Sequence, residues 1–172
     1  GLLGQPLVGS SLANNPALAS GLGSTGSNTA LRAGRISTNS YGAEAAFRLS
    51  QNISISGFGL KTNARVLDGG GRSGNGQIWS YGGGVAFADF GKKGSVLGLF
   101  AGLEPTLEGF RKSGGGTTPF SRNNSYHVEG FYKFQLTDNI SVTPGVIWVS
   151  HPNQDNRDPG SVIGTLRTTF TF

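Results

Sequence analysis

The sequence predicts an all-β protein, a transmembrane antiparallel up-and-down β-barrel. Three observations carry that expectation. Apolar and polar residues alternate with period two. In the last run Val162, Gly164, Leu166, Thr168, Phe170 and Phe172 share one face, and Ile163, Thr165, Arg167, Thr169 and Thr171 the other. Charged residues are only 13%, hydrophobic residues 35%, and 30 of the 172 residues are Gly, whereas a soluble domain usually carries about 25% charged residues. The connections between runs alternate between short and long, as in a barrel whose two rims face different compartments. No segment approaches the ~20 apolar residues of a spanning helix.

Seven extended runs follow one another from residue 40. In the first, 40–50, Tyr41, Ala43, Ala45, Phe47 and Leu49 oppose Glu44 and Arg48. The second, 53–64, is the least regular: Ile55 and Phe58 share a face only if Gly57 or Gly59 introduces a bulge, and Lys61 is assigned to the polar side. The third, 77–88, carries Trp79 and Tyr81, with Ser80, Gly82 and Gly84 opposite. In the fourth, 96–110, Leu97, Leu99, Ala101, Leu103 and Leu107 oppose Glu104 and Glu108. In the fifth, 125–136, Tyr126, Val128, Tyr132, Phe134 and Leu136 oppose His127, Glu129, Lys133 and Gln135. In the sixth, 140–150, Ile140, Val142, Val146 and Trp148 oppose Ser141 and Thr143; Pro144 forfeits a ladder hydrogen bond and marks an expected bulge. The seventh, 161–172, ends on Phe172. Residues 1–39 have no sustained period and read as a long extracellular loop with a helical turn around 16–21.

The charges follow the alternation. All four Glu (44, 104, 108, 129) fall on polar strand faces, and all five Asp (68, 89, 138, 155, 158) fall in turns or loops. A lipid-facing carboxylate is costly. The expected lining of a watery interior is therefore Glu44, Arg48, Lys61, Glu104, Glu108, His127, Glu129, Lys133 and Arg167. Tyr41, Trp79, Tyr81, Tyr126, Trp148, Phe170 and Phe172 lie near strand ends and are expected to form interfacial aromatic girdles. An internal echo, Tyr41-x-x-Glu44-x-x-Phe47-Arg48 against Tyr126-x-x-Glu129-x-x-Tyr132-Lys133, reads either as charged ridges along a pore wall or as salt-bridge ladders.

Other classes are not supported. There is no Cys, so disulfides and thiolate metal sites are excluded, and no metal or cofactor is expected. "GLGSTG" (21–26) has no strand before it and no helix after it, as a dinucleotide site would need. No G-x-S-x-G nucleophile elbow appears, so no enzyme is expected. The formal net charge of +5 is spread over loops and turns, which fits contact with anionic lipid or attraction of anions to a pore mouth, not nucleic acid.

The stretch "DNISVTPGVIWVSHPNQDNRDPGSVIGTLRTTFTF", with "SYHVEGFYKFQL", "ISTNSYGAEAAFRLS" and "FGKKG", closely resembles cyanobacterial outer-membrane porins of the iron-uptake or carbohydrate-selective (OprB-like) kind. The resemblance runs from about Ser37 to Phe172. It implies a porin-sized barrel of roughly 16 strands, of which these seven are the C-terminal ones. It also implies outer-membrane location with a periplasmic C-terminus, a wall-binding domain and coiled-coil linker elsewhere in the protein, and recognition of the last strand by the barrel-assembly machinery. The implied surroundings are lipid and the remaining strands, with a homotrimer as the oligomer to test. The implied activity is passive diffusion of small hydrophilic solutes and inorganic ions, with iron and carbohydrate both open. A non-conducting anchor or adhesin barrel is the alternative; it would need bulky inward side chains where Ser80, Gly82, Gly84, Ser141, Thr165 and Thr169 stand.

Overall fold

An extended chain satisfies its backbone polar groups only by pairing with neighbours, and the seven runs do so in sequence order. The computed structural model describes residues 36–67, 73–115, 123–151, 154, 157 and 159–172. The strands are β1 (Ile36–Arg48), β2 (Ile53–Val66), β3 (Gly74–Ala88), β4 (Val96–Lys112), β5 (Tyr126–Thr137), β6 (Ile140–Val149) and β7 (Ser161–Phe170). They form one seven-stranded sheet in the order β1-β2-β3-β4-β5-β6-β7, every neighbouring pair antiparallel. No helix occurs among the described residues. All strands are 10 to 17 residues long, enough for a tilted crossing of a bilayer at ~9–11 residues. β1 begins at Ile36, inside the segment expected to be loop, and residues 1–35, with "GLGSTG", lie outside the described residues.

The short turns are specified by local chemistry. Between β1 and β2 the Ser50 hydroxyl accepts from the amides of Asn52 and Ile53, at 3.3 and 3.1 Å. Between β3 and β4 Asp89, Gly91 and Gly94 take positive φ (56°, 74° and 84°), and the Asp89 carboxylate accepts from the Gly94 amide at 2.7 Å. Asn139, in the β5–β6 turn, donates its side-chain amide to the carbonyl of Thr171 at 2.7 Å, and its carbonyl accepts from the Thr171 amide at 2.9 Å. The residues after β7 are thereby fastened to the short-turn rim.

Two expected bulges are absent and three register shifts occur elsewhere. β2 pairs with β1 and β3 in unbroken register, so Ile55 and Phe58 lie on opposite faces. Pro144 sits opposite Leu166 with no register shift; the β5 ladder lapses at Tyr132 and Lys133 and resumes in the same register. The shifts fall instead between β3 and β4, at Gln77/Ile78 and Trp79/Tyr81, with a further one between β5 and β6 at Gln135/Thr137.

Glycines in the strands serve as seats for aromatic rings. A Cβ at Gly98 would collide with the ring of Phe131, and one at Gly82 would lie 2.5 Å from Phe100 Cζ. Gly59, by contrast, has open space at its Cβ position. In the closed barrel refolded into lipid vesicles, Gly98→Ala is therefore expected to lower stability by about 1–3 kcal/mol through overpacking. Gly59→Ala should stay within about 0.5 kcal/mol, and Phe131→Ala should relieve the Gly98→Ala penalty. Urea unfolding of the two single variants and the double variant measures this. Equal effects at Gly98 and Gly59 would refute the seating.

Candidate functional site on the polar face

In an antiparallel sheet directly opposed residues project to the same side, so the register sorts the side chains into two faces. One face carries Leu99 and Ala101 opposite Gly130 and Val128, with Val146 and Trp148 beyond them on β6 and Leu166 on β7. The other carries, in one row, Glu44, Phe58, Gly82, Gly102, His127, Val149 and Ser161. The adjoining row on that side contains Ala46, Ser56, Gly84, Phe100, Glu129, Ile147 and Ile163. Nearer the short-turn rim this polar face has Arg48 opposite Ser54, Phe131 opposite Gly145, and Arg167 opposite Thr143.

The densest polar cluster surrounds His127. Its Nδ1 lies 3.4 Å from Glu104 Oε1 and its Nε2 lies 3.4 Å from Glu129 Oε2. A neutral imidazole donates from one nitrogen only, so both contacts are donations only in the imidazolium form. Ser125 Oγ donates to Glu104 Oε2 at 3.1 Å. The ring of Phe100 meets His127 edge-on, with centroids 5.6 Å apart, and lies parallel to Phe58 at 6.3 Å and 5°. Gly82 and Gly84 leave room for Phe100 to cross β3 and reach Phe58. A depression of about 400 Å³ lies beside this pair, lined by Glu44, Ala46, Ser56, Phe58 and Phe100 among others. Phe58 was not legible as part of this face, because its facing depends on β2 running without the expected bulge.

The structure brings Glu44, Arg48, Glu104, His127, Glu129, Lys133 and Arg167 onto one face, and departs from the expected set at two positions. Lys61 lies opposite Tyr41 and Trp79, on the apolar face, with Nζ 5.2 Å from the Trp79 ring centroid. Glu108 falls in the irregular stretch between Leu107 and Gly109, where it has no cross-strand partner on β3, and it is exposed. The same irregularity turns Leu107 away from Leu97 and Leu99: it pairs with Ile78 and is fully buried with Val66, Ala64, Ile78 and Phe110 nearby in the ladder. Ser80 is buried too, donating to the carbonyl of Leu103 at 3.0 Å, so it leaves no open space. The salt-bridge-ladder reading fails. Residues four apart on a strand stand about 13 Å apart, and Glu44–Arg48 and Glu129–Lys133 form no ion pair; the ion pairs among the described residues are those of His127.

Beyond the start of β5, β4 is continued by a side chain. The Gln154 amide, fully buried in the β6–β7 connection, accepts from Leu107 N at 2.9 Å and donates to Leu107 O at 3.1 Å, replacing a strand neighbour. Nothing in the sequence around Gln154 signalled this.

On the apolar face Tyr41, Trp79, Tyr126 and Trp148 are exposed in the half nearer the long loops, and Tyr81 is exposed at the middle of β3. Phe170 projects from the same face at the other rim, and Phe172 is fully exposed beyond β7. A second aromatic chain runs along the short-turn rim. Phe87, Phe90, Tyr132 and Phe134 have successive centroids 6.3, 6.4 and 6.1 Å apart, and Lys92 Nζ lies 5.2 Å from the Phe134 ring.

Comparison with known proteins agrees with this two-faced wall. The family described as carbohydrate-selective porin, OprB family, matches residues 4–172. The chain is 48% identical over 123 residues to an uncharacterized protein of a Nostoc species, covering 72% of this chain and 20% of the relative. It is 38% identical over 91 residues to an uncharacterized protein of a Synechocystis species, covering 52% of this chain and 16% of the relative. The matches thus span a fifth or less of those relatives' length. No solved structure matches the chain.

The Gln154 clamp is testable. Gln154→Ala leaves the buried amide and carbonyl of Leu107 without these partners, a loss of about 1–3 kcal/mol. The expected outcome is a lower urea midpoint and faster proteolysis in the β6–β7 connection, with Gln154→Asn failing to restore either because its amide is one methylene shorter. Unchanged proteolysis of Gln154→Ala would remove the clamp.

Proposed function

The chain belongs to the OprB family of carbohydrate-selective porins, and from that premise we propose that its polar face lines a water-filled lumen through which small hydrophilic solutes and inorganic ions diffuse passively across an outer membrane. The observation that carries the reading is the segregation of charge. Glu44, Arg48, Glu104, Glu129, Lys133 and Arg167 share one face, while the opposite face at mid-strand is Leu99, Ala101, Val128, Val146 and Leu166. Turning the charged face to lipid would cost about 2–4 kcal/mol for each Arg or Lys at the midplane. Lys61 fits as a snorkelling residue, its stem along the apolar face and its ammonium near the Tyr41 and Trp79 belt. On this reading the short turns and C-terminus are periplasmic, the long connections extracellular, and the two aromatic chains mark the interfaces.

Away from the strand ends the placed charges are three carboxylates (Glu44, Glu104, Glu129) and three cations (Arg48, Lys133, Arg167), with His127 between two of the acids and Lys112 added at the long-loop end of β4. Selectivity in a wide pore follows its fixed charge, so ion preference is weak. A second reading, saturable sugar contact, is favoured by one observation. The parallel Phe58 and Phe100 rings beside the Glu104–His127–Glu129 group offer a flat apolar surface edged by hydrogen-bonding groups, the pairing a sugar ring needs.

Planar-bilayer recording of the closed barrel tests both readings. The pore reading expects stable open channels with a reversal potential near zero in a salt gradient, and a shift toward anion preference in Glu104→Gln with Glu129→Gln. Channels absent altogether would favour the anchor alternative. If a malto-oligosaccharide blocks the current, Phe58→Ala with Phe100→Ala should weaken the block by about tenfold, equivalent to roughly 1.4 kcal/mol. No block at 10 mM sugar would leave general diffusion alone standing.

A further inference from the structure

The balanced charge of the polar face hides an axial order. β1 and β5 both run from the long-loop rim to the short-turn rim. On β1 Glu44 precedes Arg48, and on β5 Glu129 precedes Lys133. β7 runs in the same sense, with Arg167 close to its short-turn end, opposite Thr143. β4 runs the other way, so Glu104, beyond the Gly102 that pairs with His127, lies still nearer the long loops. On β1 and β5 the carboxylate stands four residues, about 13 Å of strand, nearer the long-loop end than the cation; β4 runs the other way and adds Lys112 to the same face only at its long-loop end, opposite Gly74 and in line with Ile36, beyond the Glu44 row. Glu44, Arg48, Lys133 and Arg167 make no ion pair among the described residues, so no described partner cancels their fields at close range.

We propose that this wall is bipolar along the pore axis, with a carboxylate belt toward the long-loop mouth and a cationic belt toward the short-turn mouth, so that the pore rectifies ionic current. The inference rests on the lumenal reading of the polar face. Its physics is simple. A voltage positive on the long-loop side drives cations in through the acidic belt and anions in through the basic belt, and both accumulate between the belts. The opposite voltage drives each ion out through the belt that concentrates it and depletes the middle of the pore. The effect requires belts whose fields reach across the lumen. It is strong where the Debye length is about 30 Å, at 0.01 M salt, and vanishes where it is about 3 Å, at 1 M. The Phe58–Phe100 surface lies between Glu44 on one side and His127 and Glu129 on the other, at the level of the acidic belt. Solutes resting there are held on the long-loop side of the cations.

The test is the current–voltage curve of single channels of the closed barrel in a planar bilayer, with insertion direction read from one-sided thiol labelling of Ser113→Cys. Expected is a current at least about twofold larger with the long-loop side positive in 0.01 M KCl, falling to a ratio of about one in 1 M KCl as screening removes the field. The neutral pairs Glu44→Gln with Glu129→Gln, which keeps side-chain size, and Lys133→Gln with Arg167→Gln, which shortens it, should each reduce the asymmetry, with Glu104 and Arg48 left in place, while preserving conductance in 1 M salt. A conducting wild type with a symmetric curve in 0.01 M salt overturns the inference and leaves the pore intact. So does an asymmetry of opposite sign, or one that neither double variant changes. A barrel that conducts nothing removes the pore and this inference together.

Discussion

The constraint on which the rest of the structure depends is the backbone ladder. In hydrocarbon an unpaired N–H or C=O costs several kcal/mol, so a spanning sheet must pair its strands without gaps. β1–β2 and β2–β3 meet that demand over their full length with no register shift. Unbroken register has a second effect: once one side chain's facing is known, the facing of its whole row follows. Glu44 on the polar side commits Phe58, Gly82, Gly102 and His127 to the same side, and Tyr41 on the other side commits Lys61 and Trp79. The irregularities are confined to β3–β4 and β5–β6. Of the β3–β4 shifts, one lies toward the long loops at Gln77/Ile78 and one at mid-strand at Trp79/Tyr81, while the β5–β6 shift lies beside a short turn.

Glycine is a weak strand former, yet β3 contains Gly82, Gly83 and Gly84 in succession. The rings explain two of the three. Phe100 leans from β4 across Gly82 and Gly84, Phe131 leans from β5 onto Gly98 of β4, and Phe110 leans from β4 over Gly74 and Gly76 of β3. Each ring covers the preceding strand, restoring the packing that the missing side chains forgo. At Gly74, Gly76, Gly82, Gly84 and Gly98 composition and packing are thus one fact: the absent side chain is what seats the ring.

The fold was legible because period two, turn chemistry and alternating loop length are local signals. All seven strands appear where alternation placed them, with starts displaced by a few residues at Ile36 and Gly74. The site was legible where a strand's own pattern was clean, as with Glu44 and Arg48 on β1 or Glu129 and Lys133 on β5. It was not legible where facing depends on a neighbour. "ISISGFGLKTNA" carries no decisive alternation, so Lys61 and Phe58 are placed only by pairing with β1 and β3. Leu107 was misplaced because two register shifts turn the strand within a few residues, and a bulge leaves no mark in "LEPTLEGF" beyond its proline. Gln154 was invisible for a different reason: its role is to complete another strand's ladder from a loop, and no periodic pattern encodes that.

The two edges extend the same logic. β1 and β7 each have one neighbour in the sheet, and both faces of β7 are exposed along its whole length. An edge of that length is a template for further pairing, and in a bilayer it must be paired. On the lumenal reading proposed above, other strands stand against both β1 and β7 in the finished barrel and continue the two-faced pattern. The rows already dictate what those strands must offer. Beside β7 the polar face presents Ile163, Thr165 and Arg167, and the apolar face Val162, Leu166 and Phe170. A neighbour in register has to bring water-compatible side chains to the first set and lipid-compatible ones to the second. At the rim Thr171 is already tied to Asn139, so the strand that closes on β7 meets an edge whose height is set before it pairs.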